Sequence, residues 1–297
     1  MNRLDETNRD DEMVRHDELN RRDELNRHDA RHAADVRRIG ALIIGDEILS
    51  GKRQDKHLVQ LISMLGARSL RLTWARYLGD EHELLVDALE QSFVGGDIVF
   101  SFGGIGATPD DMTRQAAAQA LGRPLLLHPE ASDLIARRCA DMAKEGKGSA
   151  DMTTPENRQR LKMGEFPEGA AIIPNSFNRI PGFNIEDHWF VPGFPVMAWP
   201  MVEWVLDTHY EHLFHRGEQL DRSLRVYETA ESVVTPLLEQ IEAAFTGIKV
   251  YSLPSVGENG ERRHIELGVK GTGNVVEDAY LSLRQGIIDL GSDFDEV

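Results

Sequence analysis

The chain has 297 residues, 41% of them hydrophobic, and a formal net charge of −17. That length accommodates two domains and a sizeable buried core. No apolar run approaches the roughly 18–20 residues of a membrane helix, no apolar leader is evident, and the excess of acid disfavours nucleic acid and anionic membranes as partners. A single cysteine, Cys139, leaves no internal disulfide to form. This usage fits a reducing compartment, and a cytoplasmic location is expected.

Residues 1–38 carry a hexad. Arg3, Arg9, Arg15, Arg21 and Arg27 recur every six positions, each followed two residues later by Asp5, Asp11, Asp17, Asp23 or Asp29. Six residues turn a helix by about 600°, so successive units point in different directions and no apolar face accumulates. With little to bury against the entropy of ordering, a disordered low-complexity tail is expected.

Order should begin at residue 39. The run IGALII over residues 39–44 reads as a buried strand. Leu58, Leu61, Ile62 and Leu65 recur at helical spacing, and Gly66 stands where a helix stops. Residues 69–77 read as a second strand, Leu84 to Leu89 as part of a second helix, and residues 97–102 (DIVFSF) as a third strand that runs into Gly103-Gly104. A helix over 112–121 follows. Alternation with short links predicts an α/β fold of three layers, α/β/α, around a mostly parallel sheet. Further helices are expected over 129–144 and 194–210, with a short one from Pro155 and strands over 170–173 and 188–191. This domain is expected to span 39–210. Beyond a polar joint, residues 222–297 read as strand, helix, strand, strand, helix: a small α+β domain of ferredoxin-like or KH-like type.

The chemistry concentrates at Ser101–Thr113, SFGGIGATPDDMT. A strand enters Gly103, Gly104 and Gly106, and a helix begins a few residues later. Glycines let backbone N–H groups approach a ligand, and a helix N-terminus adds partial positive charge. A tight turn needs the same glycines, so the loop by itself leaves both readings open. Thr108, Asp110, Asp111 and Thr113 follow at once. Two adjacent acids oppose an anion nest and repel each other by roughly 3 kcal/mol at about 5 Å and an effective dielectric near 20. A divalent cation such as Mg²⁺ removes that penalty and bridges to phosphate oxygens. The loop is neither a Walker A motif nor a dinucleotide fingerprint, because the terminal Lys-Ser/Thr and the spacing are missing. Strand one ends at Gly45-Asp46-Glu47 and strand two at Gly79-Asp80-Glu81. Each could be plain turn and cap chemistry. In a parallel sheet, however, all three turns share the carboxyl rim, where open α/β sheets bind ligands.

These segments resemble a known family. Residues 44–51 (IGDEILSG), Gly79-Asp80-Glu81 and residues 103–111 (GGIGATPDD) are similar to the molybdopterin-binding domain of molybdenum-cofactor biosynthesis, and most of all to its competence/damage-inducible branch. Asn157, Pro174-Asn175, Pro181-Gly182-Phe183 and Val191-Pro192-Gly193-Phe194-Pro195 follow in that branch's order. The resemblance covers roughly residues 39–210. It implies a small-molecule ligand, a nucleotide or pterin phosphate, and a homo-oligomer. It also implies hydrolysis of a pyrophosphate such as ADP-ribose with Mg²⁺ or another divalent cation. Alternatives are adenylyl transfer to molybdopterin, with molybdopterin itself bound, or a non-catalytic binding module. By motif match Asp80 and Asp111 are the catalytic acids, and Asp80, Asp110 and Asp111 the metal ligands. Gly103, Gly104, Gly106, Thr108 and Thr113 would cradle phosphate. Asp46, Glu47, Ser50, Asn175, Arg179, Pro192 and Gly193 would form the rim. The sequence departs from the family at Ala107, where proline is usual, and at Val196-Met197, where the family is polar.

Other chemistries are poorly supported. Ser101 lacks the Gly-x-Ser-x-Gly elbow of a serine hydrolase. His209, His212 and His215 read as a solvated helix end rather than a zinc site. Cys139 reads as packing.

Overall fold

The computed structural model describes residues 37–215, 219–257 and 262–297; the tail expected over 1–38 lies outside them except for Arg37 and Arg38. The chain divides into two compact units. The first comprises residues up to 65 and 71–211, the second residues 66–70 and 212–297.

In the first unit, six strands form one sheet: β1 (Ile39–Ile44), β2 (Leu72–Leu78), β3 (Ile98–Phe102), β6 (Ala171–Ile173), β7 (Gly182–Ile185) and β8 (His188–Val191). The order is β2-β1-β3-β8-β7-β6. Neighbours from β2 to β8 run parallel, and β7 and β6 add an antiparallel margin. A separate small ribbon pairs β4 (Leu125–Leu127) with β5 (Glu165–Pro167). Every residue of β1, β3 and β8 is buried, which is why these strands read as unbroken apolar runs: helices cover both faces. The edge strand β2 is mostly exposed or half-buried.

The helices are α1 (Asp46–Leu49), α2 (His57–Gly66), α3 (His82–Val94), α4 (Thr113–Ala120), α5 (Pro129–Lys144), α6 (Pro155–Leu161) and α7 (Pro195–His209). Leu42, Leu85, Leu89, Val99 and Phe190 belong to the core, and Phe183 stacks on Phe190 with ring centroids 4.3 Å apart. Strand β7 was not expected. Its hairpin with β8 turns on Glu186 and Asp187 at φ 50° and 58°, in a turn that Asn-Gly or Asp-Gly usually fills. Asp187 is held there by Arg37 and by the Tyr210 hydroxyl, at 2.5 and 3.0 Å.

His188, 1% exposed, donates from Nδ1 to the Glu186 carbonyl at 2.8 Å and meets Ser92 Oγ through Nε2 at 2.8 Å. Burial pushes its pKa down, and the same holds for His57. In the unfolded chain both regain an ordinary value near 6.5. The unfolded state therefore binds more protons just below that pH, and stability falls as pH drops through it. Thermal melts between pH 8 and 5 are expected to show this loss, with a shallower slope for His188→Gln. An unchanged slope in the variant would remove His188 from the account.

In the second unit, β9 (Gln219–Tyr227), α8 (Glu231–Ala244), β10 (Ile248–Ser255), β11 (His264–Thr272), α9 (Val275–Asp289) and β12 (Phe294–Glu296) follow in chain order. The antiparallel sheet runs β10-β11-β9-β12. Three of its strands match the expected order. The short β12 supplies the fourth and completes a split βαββαβ, the ferredoxin-like arrangement. Leu224, Leu267, Val276 and Leu283 lie in its core. Among the described residues no helix is long and apolar enough to cross a membrane.

Candidate functional site

The strand order places the site. From β1 the chain moves to β2 on one side, then crosses back to β3 on the other. Loops leaving β1 and β3 therefore diverge, and a crevice opens at the carboxyl ends of the parallel strands. A cavity of about 510 Å³ lies there, lined by Gly45, Glu47, Asp80, the loop from Gly103 to Asp111, Asn175, Pro192 and Gly193. Five turns distant in sequence thus meet, including the one after β8 that starts α7.

Gly103 and Gly104 adopt φ 101° and 67°, and a Cβ on Gly104 would run into the Thr113 side chain. Thr113 is fully buried. Its amide donates to Gly104 O at 3.0 Å and its hydroxyl to Gly103 O at 3.2 Å. It is not part of the cavity lining, so it braces the loop and contributes no donor to a phosphate. Asp111 lines the cavity, but its carboxylate is engaged within the loop. Its Oδ2 accepts from Thr108 N at 2.9 Å and from Thr108 Oγ1 at 2.5 Å, and a Cβ at Gly106 would collide with the same carboxylate. The neighbouring Asp110 carboxyl lies below the usual carboxylate range, held there by Thr108 and then by its own amide.

Asp80 sits opposite, after β2. Its Oδ2 accepts from Asp46 N at 2.9 Å, and Asp46 Oδ1 accepts from Asp80 N at 3.3 Å. Each acid therefore caps the turn of the other. Burial raises the Asp80 pKa, aided by the charges of Asp46, Glu47 and Asp110. Asp46, Glu47, Ser50, Asp80 and Asp110 line a notch beside the main cavity. Among the described residues no three His, Cys, Asp or Glu side chains are gathered tightly enough to cage a metal ion. Mg²⁺, however, is commonly held by one or two carboxylates together with ligand phosphates and water. The donor set fits a cation of that kind at Asp80 and Asp110 and does not fit an all-protein cage; the Asp111 carboxylate is directed to Thr108.

Asn175, 6% exposed, ties its loop together by donating to Asn178 Oδ1 and Ile180 O, each at 2.9 Å. Arg179 leaves the site. It pairs with Asp141 at 3.3 Å and lines a different, shallow groove with Arg138 and Trp204. Several lining residues carried no recognised signal in the sequence: Arg53, Met163 and Ile180, while Phe194 stood in the Pro192–Pro195 motif without a role assigned to it. Arg53 pairs with Glu47 at 3.7 Å. A cation two residues beyond Ser50-Gly51 was the available clue to it. Met197 lines the wall and accepts from Asn178 Nδ2 through its sulfur at 3.2 Å, whereas Val196 is exposed outside it.

The family model described as "Probable molybdopterin binding domain" matches residues 40–212. A CinA-like protein of Syntrophotalea carbinolica is 31% identical over 218 residues, 70% of this chain and 50% of that protein. A CinA-like protein of Citrifermentans bemidjiense is 31% identical over 206 residues, 68% of this chain and 47% of that protein. The chain spans about half the length of these curated relatives. A solved structure described as the protein CinA with unknown function, from Thermoplasma acidophilum, shares 24% identity over 58% of this chain and 96% of that chain, with a TM-score of 0.49. On the match to residues 40–212, more than half its length, this chain belongs to the molybdopterin-binding domain family.

Proposed function

We propose that the crevice binds a nucleotide or pterin carrying a pyrophosphate, and that it hydrolyses that pyrophosphate with a divalent cation, ADP-ribose being the type substrate. The observation behind this reading is the convergence of a glycine loop and a carboxylate pair on one cavity of about 510 Å³, a volume that suits a small-molecule site. The Gly104 and Gly106 amides receive the phosphate oxygens, since the Gly103 amide already donates to Val191 O at 3.0 Å and the Thr108 amide to Asp111 Oδ2 at 2.9 Å. Met163, Ile180, Phe194 and Met197 offer an apolar wall to a flat ring. Asp80 and Asp110 present the negative charge that holds a cation beside the phosphates, and Arg53 faces the same space. A divalent cation, when bound, neutralises the pyrophosphate and acidifies a coordinated water. Addition of water across the P–O–P link of ADP-ribose yields AMP and ribose phosphate.

The test is to incubate the purified chain with ADP-ribose and Mg²⁺ and follow AMP by chromatography. AMP should form and stop with EDTA. A second reading, a module that binds without turnover, draws on Asp111, whose carboxylate is occupied by Thr108. Calorimetric binding of ADP-ribose with no AMP would favour that module. AMP attached to co-purifying molybdopterin would favour adenylyl transfer instead. Homo-oligomer formation belongs to the same proposal and is read from the mass in solution.

A further inference from the structure

Arg114 is the second residue of α4 and is 2% exposed. Its neighbours Ala116, Ala117 and Ala118 are buried too, so the helix takes a guanidinium into an apolar layer. A buried charge is tolerated when it is paired and its donors are satisfied. Here Nη2 donates to the Gly106 carbonyl at 2.6 Å. Nε and Nη1 are buried with no hydrogen-bond partner, and no salt bridge to the guanidinium is formed among the described residues. Burial lowers its pKa, opposed through space by Glu165 and then Asp111. Two donors of this buried cation are therefore left unsatisfied directly beneath the glycine loop.

That position answers a difficulty of the site. The chain is strongly acidic, and the loop itself carries Asp110 and Asp111, yet an anion has to settle on it. We propose that Arg114 is the buried counter-charge of that anion: a positioning residue that grips the Gly106 carbonyl from below and carries positive potential into the cavity, where a bound diphosphate balances it through space. The inference rests on the proposed reading of the crevice as a phosphate site.

The probe is inorganic pyrophosphate, titrated calorimetrically with Mg²⁺ into the full chain and into Arg114→Lys, Arg114→Met and Glu165→Gln, each checked for folding by its melting curve. Arg114→Met should bind pyrophosphate about tenfold or more weakly. Arg114→Lys, which keeps the charge, and Glu165→Gln, which leaves the guanidinium in place, should stay within about threefold of the unaltered chain. A folded Arg114→Met with unchanged affinity overturns the proposal, and so does Arg114→Lys binding as weakly as Arg114→Met. A melting loss in Arg114→Met that Glu165→Gln reproduces, without loss of affinity, makes Arg114 a structural partner of Glu165. Should Arg114→Met fail to fold, the Nε–H resonance of Arg114 in the ¹⁵N-labelled unaltered chain decides: pyrophosphate must shift it, and no shift at saturation refutes the idea. An unaltered chain that binds neither pyrophosphate nor ADP-ribose defeats the phosphate-site reading itself and this inference with it, a result distinct from failure of the variants alone.

Discussion

Gly104→Val is expected to cost about 3 kcal/mol of stability and to abolish pyrophosphate binding. Two independent terms add. A left-handed φ of 67° at this position costs a side-chain-bearing residue about 1–2 kcal/mol, more with β-branching. The added Cβ also lands on the Thr113 side chain, which is fully buried and cannot withdraw without losing its bond to Gly103 O. Overpacking of this kind costs roughly 1–3 kcal/mol. The loop must shift to relieve it, and its amides then no longer converge. The melting temperature should drop by roughly 6–12 °C, and titration with pyrophosphate should give no heat. A variant that melts with the unaltered chain and still binds would show that the loop is a mere turn.

Asp80→Asn is expected to move activity and stability in opposite directions. The asparagine keeps the shape and an acceptor for Asp46 N, but removes one charge from a group that burial and three neighbouring carboxylates already disfavour. Stability should stay level or rise by a few tenths of a kcal/mol, since solvent screens a half-exposed cluster. Turnover of ADP-ribose should fall by about 100-fold or more, the lower end of what a positioned acid contributes. Chemical denaturation and an AMP assay on one preparation check both halves. A loss of stability equal to the loss of activity would make Asp80 a turn-capping residue and nothing more.

Much of the fold was legible in the chain. β1 and β3 stood out because strands buried on both faces carry no polar alternation. α6 stood out because it begins with a proline, whose missing N–H is harmless at a first helical position. The β7 hairpin did not, because Glu186 and Asp187 take a positive-φ turn that their types rarely adopt. β4, β5 and β12 are three residues each, too short for any periodicity to register.

For the site, residue order and type determined that the glycine loop and the two Gly-Asp-Glu turns lie on one rim, since parallel strands put successive carboxyl ends at the same edge; Pro192-Gly193 joined them through the family resemblance. What only the tertiary structure decided is where each side chain on that rim points. Thr113 turns into the core, Asp111 turns back to Thr108 and Arg179 turns to Asp141, while Arg53, Met163 and Phe194 turn into the cavity. Where strands and helices fall follows from hydrophobic pattern and short connections, which are local. The direction of a polar side chain depends on which donor lies within about 3 Å after folding, and those donors come from segments that share no neighbourhood in the chain.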